Sequence, residues 1–139
     1  MAAPVAAAVL APTTALRLLV VDDDPANRAA MQAALDSMGH GCVVAAGEAE
    51  ALAASGPFDG ALVDFALGTA RDGIDLIDAL RDRLPTLAVA LVTAERGEAM
   101  LARLTERDIP LLAKPLAATV LEQWIAAVAR RGAGGSAVP

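Results

Sequence analysis

Five polar residues stand where otherwise apolar runs stop, and their types could do chemistry together. Asp22 and Asp23 follow Leu18-Leu19-Val20-Val21, Asp64 follows Leu62-Val63, Thr93 follows Leu91-Val92, and Lys114 follows Leu111-Leu112-Ala113. Any one of them has a bland account, since an apolar run ending in Asp is often only a turn. Brought together, three carboxylates would repel one another and favour a hard divalent cation such as Mg²⁺. Such an ion is held by one or two carboxylates plus phosphate oxygens and waters, which leaves room for a phosphorylated donor. A carboxylate beside it can attack phosphorus in line and form an acyl phosphate. Lys114 and the Thr93 hydroxyl would then neutralise and hydrogen-bond the oxygens of the transferred group. Lys114 is also the only lysine, every other basic residue being arginine. An ammonium directly after an apolar run is an unfavourable place for an idle charge.

The elements that would position these residues are legible in the patterning. Short branched apolar runs occupy 16–21, 41–46, 61–63, 87–92 and 111–113, as expected for strands covered on both faces. Between them the spacing is helical. Met31, Leu35 and Met38 recur on one face, as do Ile77, Leu80 and Leu84, and Leu121, Trp124, Ile125 and Val128 give a broad last stripe. Trp124 and the methionines are therefore expected in the core. Asp24 is placed as an N-cap with Pro25 in the first turn. Gly39 ends that helix, Gly47 opens the next connection, and Pro85 follows the helix begun near Gly73. Strict βα alternation predicts an α/β fold: five strands and five helices in a doubly wound parallel sheet with flavodoxin-like order 2-1-3-4-5. In such sheets ligands bind outside the carboxyl ends of the strands, where the five polar residues lie.

Composition bounds the rest. A chain of 139 residues is one domain in size, and its 56% hydrophobic content with 2% aromatics suits thin helices on a branched sheet. A net charge of −6 without any basic tract argues against nucleic-acid binding. No apolar run is long enough to cross a bilayer. Cys42, the single cysteine, lies in an apolar run and reads as a small buried hydrophobe. His40, the single histidine, sits between two glycines and reads as an exposed loop residue. Residues 1–15 are Ala-rich without a basic start and read as a flexible leader or linker. Residues 132–139 (GAGGSAVP) read as a disordered tail, leaving 16–131 as the domain of a cytoplasmic protein.

Val20-Val21-Asp22-Asp23-Asp24-Pro25, Leu62-Val63-Asp64, Leu91-Val92-Thr93-Ala94 and Lys114-Pro115 together resemble, in order and spacing, the response-regulator receiver family of two-component signalling. The resemblance runs from about Leu16 to Arg130. It implies a non-enzymatic signalling domain phosphorylated on Asp64 by a histidine kinase or histidine phosphotransfer protein. It further implies that Asp23, Asp64 and the Ala66 backbone carbonyl bind Mg²⁺ directly, with Asp22 acting through water. Thr93 becomes the switch hydroxyl and Lys114 the phosphate-pairing cation. The fourth helix, about 98–106, with the fifth strand and fifth helix, becomes the surface for an output protein or a homodimer.

Three departures from the family pattern stand out. The segment FALGTARDG (65–73) is one residue longer than usual, lacks the common Pro and relies on Gly68 for its bend. This resembles receivers that stand alone or end hybrid sensor kinases. Leu111 occupies the place of the usual inward-turning Tyr or Phe. Ala66 has no group to position an attacking water, while Glu95 is placed to repel or orient one. Two rival readings share part of this pattern. A haloacid-dehalogenase-type phosphatase also begins with Asp-x-Asp, but Ala26 stands where it carries Thr or Val, and no late acidic pair follows Lys114. A pseudo-receiver serving only as a binding module would need a broken acidic pocket. Arg28 and Arg130-Arg131 read as solvated helix charges, with Arg28 near enough to the acidic pair to meet a partner.

Overall fold

The computed structural model describes residues 15–137. Five strands, β1 (Arg17–Val21), β2 (Gly41–Ala45), β3 (Gly60–Asp64), β4 (Ala88–Thr93) and β5 (Leu111–Ala113), alternate with five helices. These are α1 (Pro25–Ser37), α2 (Glu48–Ala53), α3 (Gly73–Arg83), α4 (Glu98–Arg107) and α5 (Ala118–Ala137). All strand pairings are parallel and the order is 2-1-3-4-5, as the alternation predicts. Side chains alternate across a strand, so each strand feeds two cores. Leu19, Val21, Val63, Val89 and Leu91 point to one side and pack with Ile74, Ile77, Met100 and Leu104 of α3 and α4. Leu18, Val20, Leu62, Ala90 and Val92 point to the other, toward Leu35 of α1 and Leu121, Trp124, Ile125 and Val128 of α5.

Small residues set how closely the layers approach. A Cβ on Gly60 would lie 2.9 Å from the Trp124 indole and 3.3 Å from the Ala88 carbonyl oxygen. A glycine in β3 therefore makes the seat for the single large aromatic of α5. Asp24 caps α1 through a 2.8 Å bond from the Ala26 amide, with Pro25 in the first turn. Gly39 has φ +88 just past the helix, a conformation that costs a glycine little.

Several local expectations change. Leu84 leaves the stripe of Ile77 and Leu80: it is the C-cap of α3, 36% exposed, because the helix ends before its turn reaches the core. His40 is half-buried, and its Nδ1 accepts the Leu16 amide at 3.0 Å, tying the turn after α1 to the start of the sheet. Cys42 is half-buried on a β2 that forms the sheet edge, and burial pushes its thiol up to about 11. Helix α5 continues to Ala137, past Gly132 where the tail was expected to begin. Alanine is the strongest helix former, and each glycine in a helix costs only about 1 kcal/mol. The expected leader, save Ala15, and the last two residues lie outside the described residues.

Trp124→Ala removes the side chain that joins α5 to β3. The expected loss is about 3–5 kcal/mol, read as a lower urea midpoint by circular dichroism.

Candidate functional site

The reversal of strand order between β1 and β3 creates the crevice where the acidic residues meet. Register pairs Val21 with Val63, so the next residues, Asp22 and Asp64, emerge side by side. Both are only 8% exposed, while Asp23 is exposed. One carboxylate oxygen from each of the three lies within 4.8 Å of the others. The Asp22 carboxylate is fixed on both sides: Oδ1 accepts the Asp24 amide at 2.9 Å, and Oδ2 lies 3.4 Å from the Lys114 ammonium. Lys114 Nζ reaches Asp64 Oδ1 at 3.2 Å as well. Its backbone amide bonds the Thr93 carbonyl at 3.1 Å, which seats the end of β5 against the end of β4.

The electrostatics follow from one ammonium serving three carboxylates. Burial, and then the Asp22 charge, push the Asp64 carboxyl above the ordinary Asp range despite the lysine contact. Burial works against the Lys114 ammonium too, but the charge of Asp64 and its hydrogen bond outweigh it and raise the lysine pKa. The crowd of carboxylates is therefore under-compensated. A set of hard carboxylate oxygens with no thiolate or imidazole fits Mg²⁺ by donor type.

Thr93 ends β4 one residue past the register partner of Asp64, and is 2% exposed. Its Oγ1 accepts the Glu95 amide at 3.0 Å, so the hydroxyl holds the turn leading to α4. The Glu95 side chain is exposed. Ala66 lies exposed in the loop that follows Asp64. Gly68 has φ +73 there, and a Cβ on it would sit 3.3 Å from Asp23 Oδ2, so the bend expected at this residue brings the loop against the acidic pair. Arg71 clamps the loop to α2 through Glu48 at 2.8 Å. Leu111 is half-buried and packs against the α3–α4 side of the core.

Two contributions were missed in the sequence. Arg28, read as a solvated charge, donates from Nη1 to the Asp22 carbonyl oxygen at 2.8 Å and braces the turn carrying the acidic pair. Its six-residue offset from Asp22 was the available signal. A shallow, mostly apolar cleft of about 330 Å³ between α1 and α5, lined by Met31, Ala34, Met38, Leu116 and Leu121, opens onto Asp22, Asp64 and Lys114. Its residues come from segments far apart in the chain, so no local pattern announces it.

A model of the response regulator receiver domain matches residues 18–126. The chain belongs to this family. No match is found among curated proteins. Among solved structures, a receiver domain protein from Methanospirillum hungatei JF-1 is similar with a TM-score of 0.79 at 22% identity, covering 87% of this chain and 99% of its own. The signal receiver domain of a diguanylate cyclase from Desulfovibrio desulfuricans G20 gives 0.76 at 26%, covering 85% and 96%. The Vibrio cholerae chemotaxis protein CheY4 gives 0.74 at 22%, covering 83% and 99%. In this receiver domain no helix among the described residues is long and apolar enough to cross a membrane.

Because Asp64 is destabilised by burial and by Asp22, Asp64→Asn is expected to raise the thermal midpoint by a few degrees in Mg²⁺-free buffer. Added Mg²⁺ should narrow the difference by stabilising the wild type more. Scanning calorimetry with chelator and with Mg²⁺ checks both halves.

Proposed function

We propose that this receiver accepts a phosphoryl group on Asp64 from a histidine kinase or histidine phosphotransfer protein and signals by protein contact. The observation that carries the reading is the position of Asp64. It is a buried carboxylate within 4.8 Å of two others, and it touches the only lysine in the chain. In the transfer, an Asp64 oxygen forms a bond to phosphorus while the bond from phosphorus to the donor imidazole nitrogen breaks. The electron pair leaves with the imidazole, which takes up a proton. Asp22, Asp23, Asp64 and the Ala66 carbonyl are the groups that would hold Mg²⁺. When bound, that ion neutralises charge between the carboxylates and the incoming phosphoryl oxygens.

Lys114 is then positioned to exchange its contact with Asp64 for one with a phosphoryl oxygen, a charge-assisted bond. Thr93 would release the Glu95 amide and turn its hydroxyl to the same group, moving the turn before α4. That shift biases an equilibrium between two arrangements. The surface of α4, β5 and α5 would present the change to an output protein or to a second copy. The reading sets the domain in the cytoplasm beside its donor, and the domain acts as a catalyst only on its own phosphorylation and dephosphorylation.

Incubation with acetyl phosphate or phosphoramidate and Mg²⁺ should add one phosphoryl mass to the intact protein. Chelator or Asp64→Asn should abolish it, and an adduct surviving Asp64→Asn would refute the assignment. Ala66→Asn should shorten the adduct's half-life several-fold by giving an attacking water a partner. An unchanged half-life would remove Ala66 from the account of dephosphorylation.

A further inference from the structure

We propose that Arg103 is the positioning residue through which α4 reads the state of Asp64. The inference rests on the phosphoacceptor reading and names how the signal leaves that site. It starts from a close approach. Gly73, the first residue of α3, sits so near the acceptor's own backbone that a Cβ there would lie 2.2 Å from the Asp64 carbonyl oxygen and 2.9 Å from its carbonyl carbon. The Gly73 amide also bonds the Phe65 carbonyl at 2.8 Å. The α3 N-terminus thus stands directly against the Asp64 backbone, with no slack there for an independent shift.

The residue before that glycine carries its displacement outward. Asp72 caps α3, accepting the Ile74 and Asp75 amides at 3.0 Å each, while Asp75 Oδ2 accepts the Asp72 amide at 2.9 Å. Arg103 of α4 grips the same box from outside. Nη1 meets Asp72 Oδ2 at 2.7 Å, and Nη2 meets Asp72 Oδ1 at 3.2 Å and Asp75 Oδ1 at 3.3 Å. Burial opposes the Asp72 charge, but the Arg103 bond and the capped amides outweigh it and hold its pKa below the ordinary carboxylate range.

Geometry makes this contact a sensor rather than a mere tether. A planar guanidinium engages two carboxylates in one fixed orientation, so a shift of about 1 Å in Asp72 would take the longer bonds beyond hydrogen-bonding range. The far end of α4 is held separately: Arg107 pairs with Asp78 at 3.1 Å, and Arg81 donates to the Arg107 carbonyl at 2.6 Å. Displacement at Asp72 would therefore turn α4 about its carboxyl end. A phosphoryl group adds bulk and negative charge to Asp64, whose backbone cannot yield toward α3 without moving Gly73. The route needs no aromatic at Leu111.

Two variants isolate the charge contact. Asp72→Asn keeps an equally good N-cap, and Arg103→Lys keeps the charge but loses the fork. Hydrogen exchange of the α4 amides is compared before and after phosphorylation with phosphoramidate and Mg²⁺, with intact mass reporting the adduct. The wild type should show a change in α4 protection, and both variants should lose that change while still forming the adduct. A change that persists in both variants overturns the proposal, as does a wild type that forms the adduct without altering α4. Loss of the adduct in Arg103→Lys also overturns it, because the residue would then be holding the pocket together. No adduct in the wild type defeats the phosphoacceptor reading itself, and the proposal with it.

Discussion

Mutual repulsion of carboxylates at the β1–β3 edge is the constraint on which the remaining structure turns. Asp22 and Asp64 are brought together because parallel register leaves no choice: Val21 and Val63 are partners, so the residues after them share one crevice. Two buried charges of like sign would ordinarily move apart or protonate. Here the sheet fixes their separation, the Asp24 amide and Arg28 fix the turn around Asp22, and Lys114 offsets part of the charge. The charge that remains uncompensated is what makes the crevice receptive to a hard cation.

Around that point the two faces of the sheet do different work. On the α1–α5 side the packing is apolar and leaves a cleft that leads to the acidic residues. On the α3–α4 side the helices share buried Ile74, Ile77, Met100 and Leu104, and their rims are laced by Arg103, Arg107 and Arg81 to Asp72, Asp75, Asp78 and backbone carbonyls. Half-exposed ion pairs of this kind contribute little to stability one by one, typically under about 1 kcal/mol. Their value lies in orientation, since they fix how α4 sits relative to the loop that follows Asp64.

The sheet order, all five strands and the five polar residues at the strand ends were readable because each depends on local pattern. Branched runs mark the strands, and a polar residue after each run marks its carboxyl end. Arg28 and Arg103 escaped the same reasoning. An arginine on a helix looks identical in sequence whether it faces water or a backbone carbonyl, and Arg103 meets Asp72 across thirty-one positions. Leu84 misled for a related reason. Its spacing fits the stripe of Ile77 and Leu80, but the helix stops first. The end of α5 shows the opposite error, because glycine and alanine in alternation do not decide between a tail and a continued helix.

Lys114 also gives this receiver an unusual chemical simplicity. An amine-directed reagent meets one side-chain target in the entire chain, and that target is held between Asp22 and Asp64. Acylation of the remaining amine, the α-amino group, is separable by peptide mapping. The labelling rate of a single lysine is therefore a direct report on the occupancy of the acidic crevice, obtained from unmodified protein without an introduced probe.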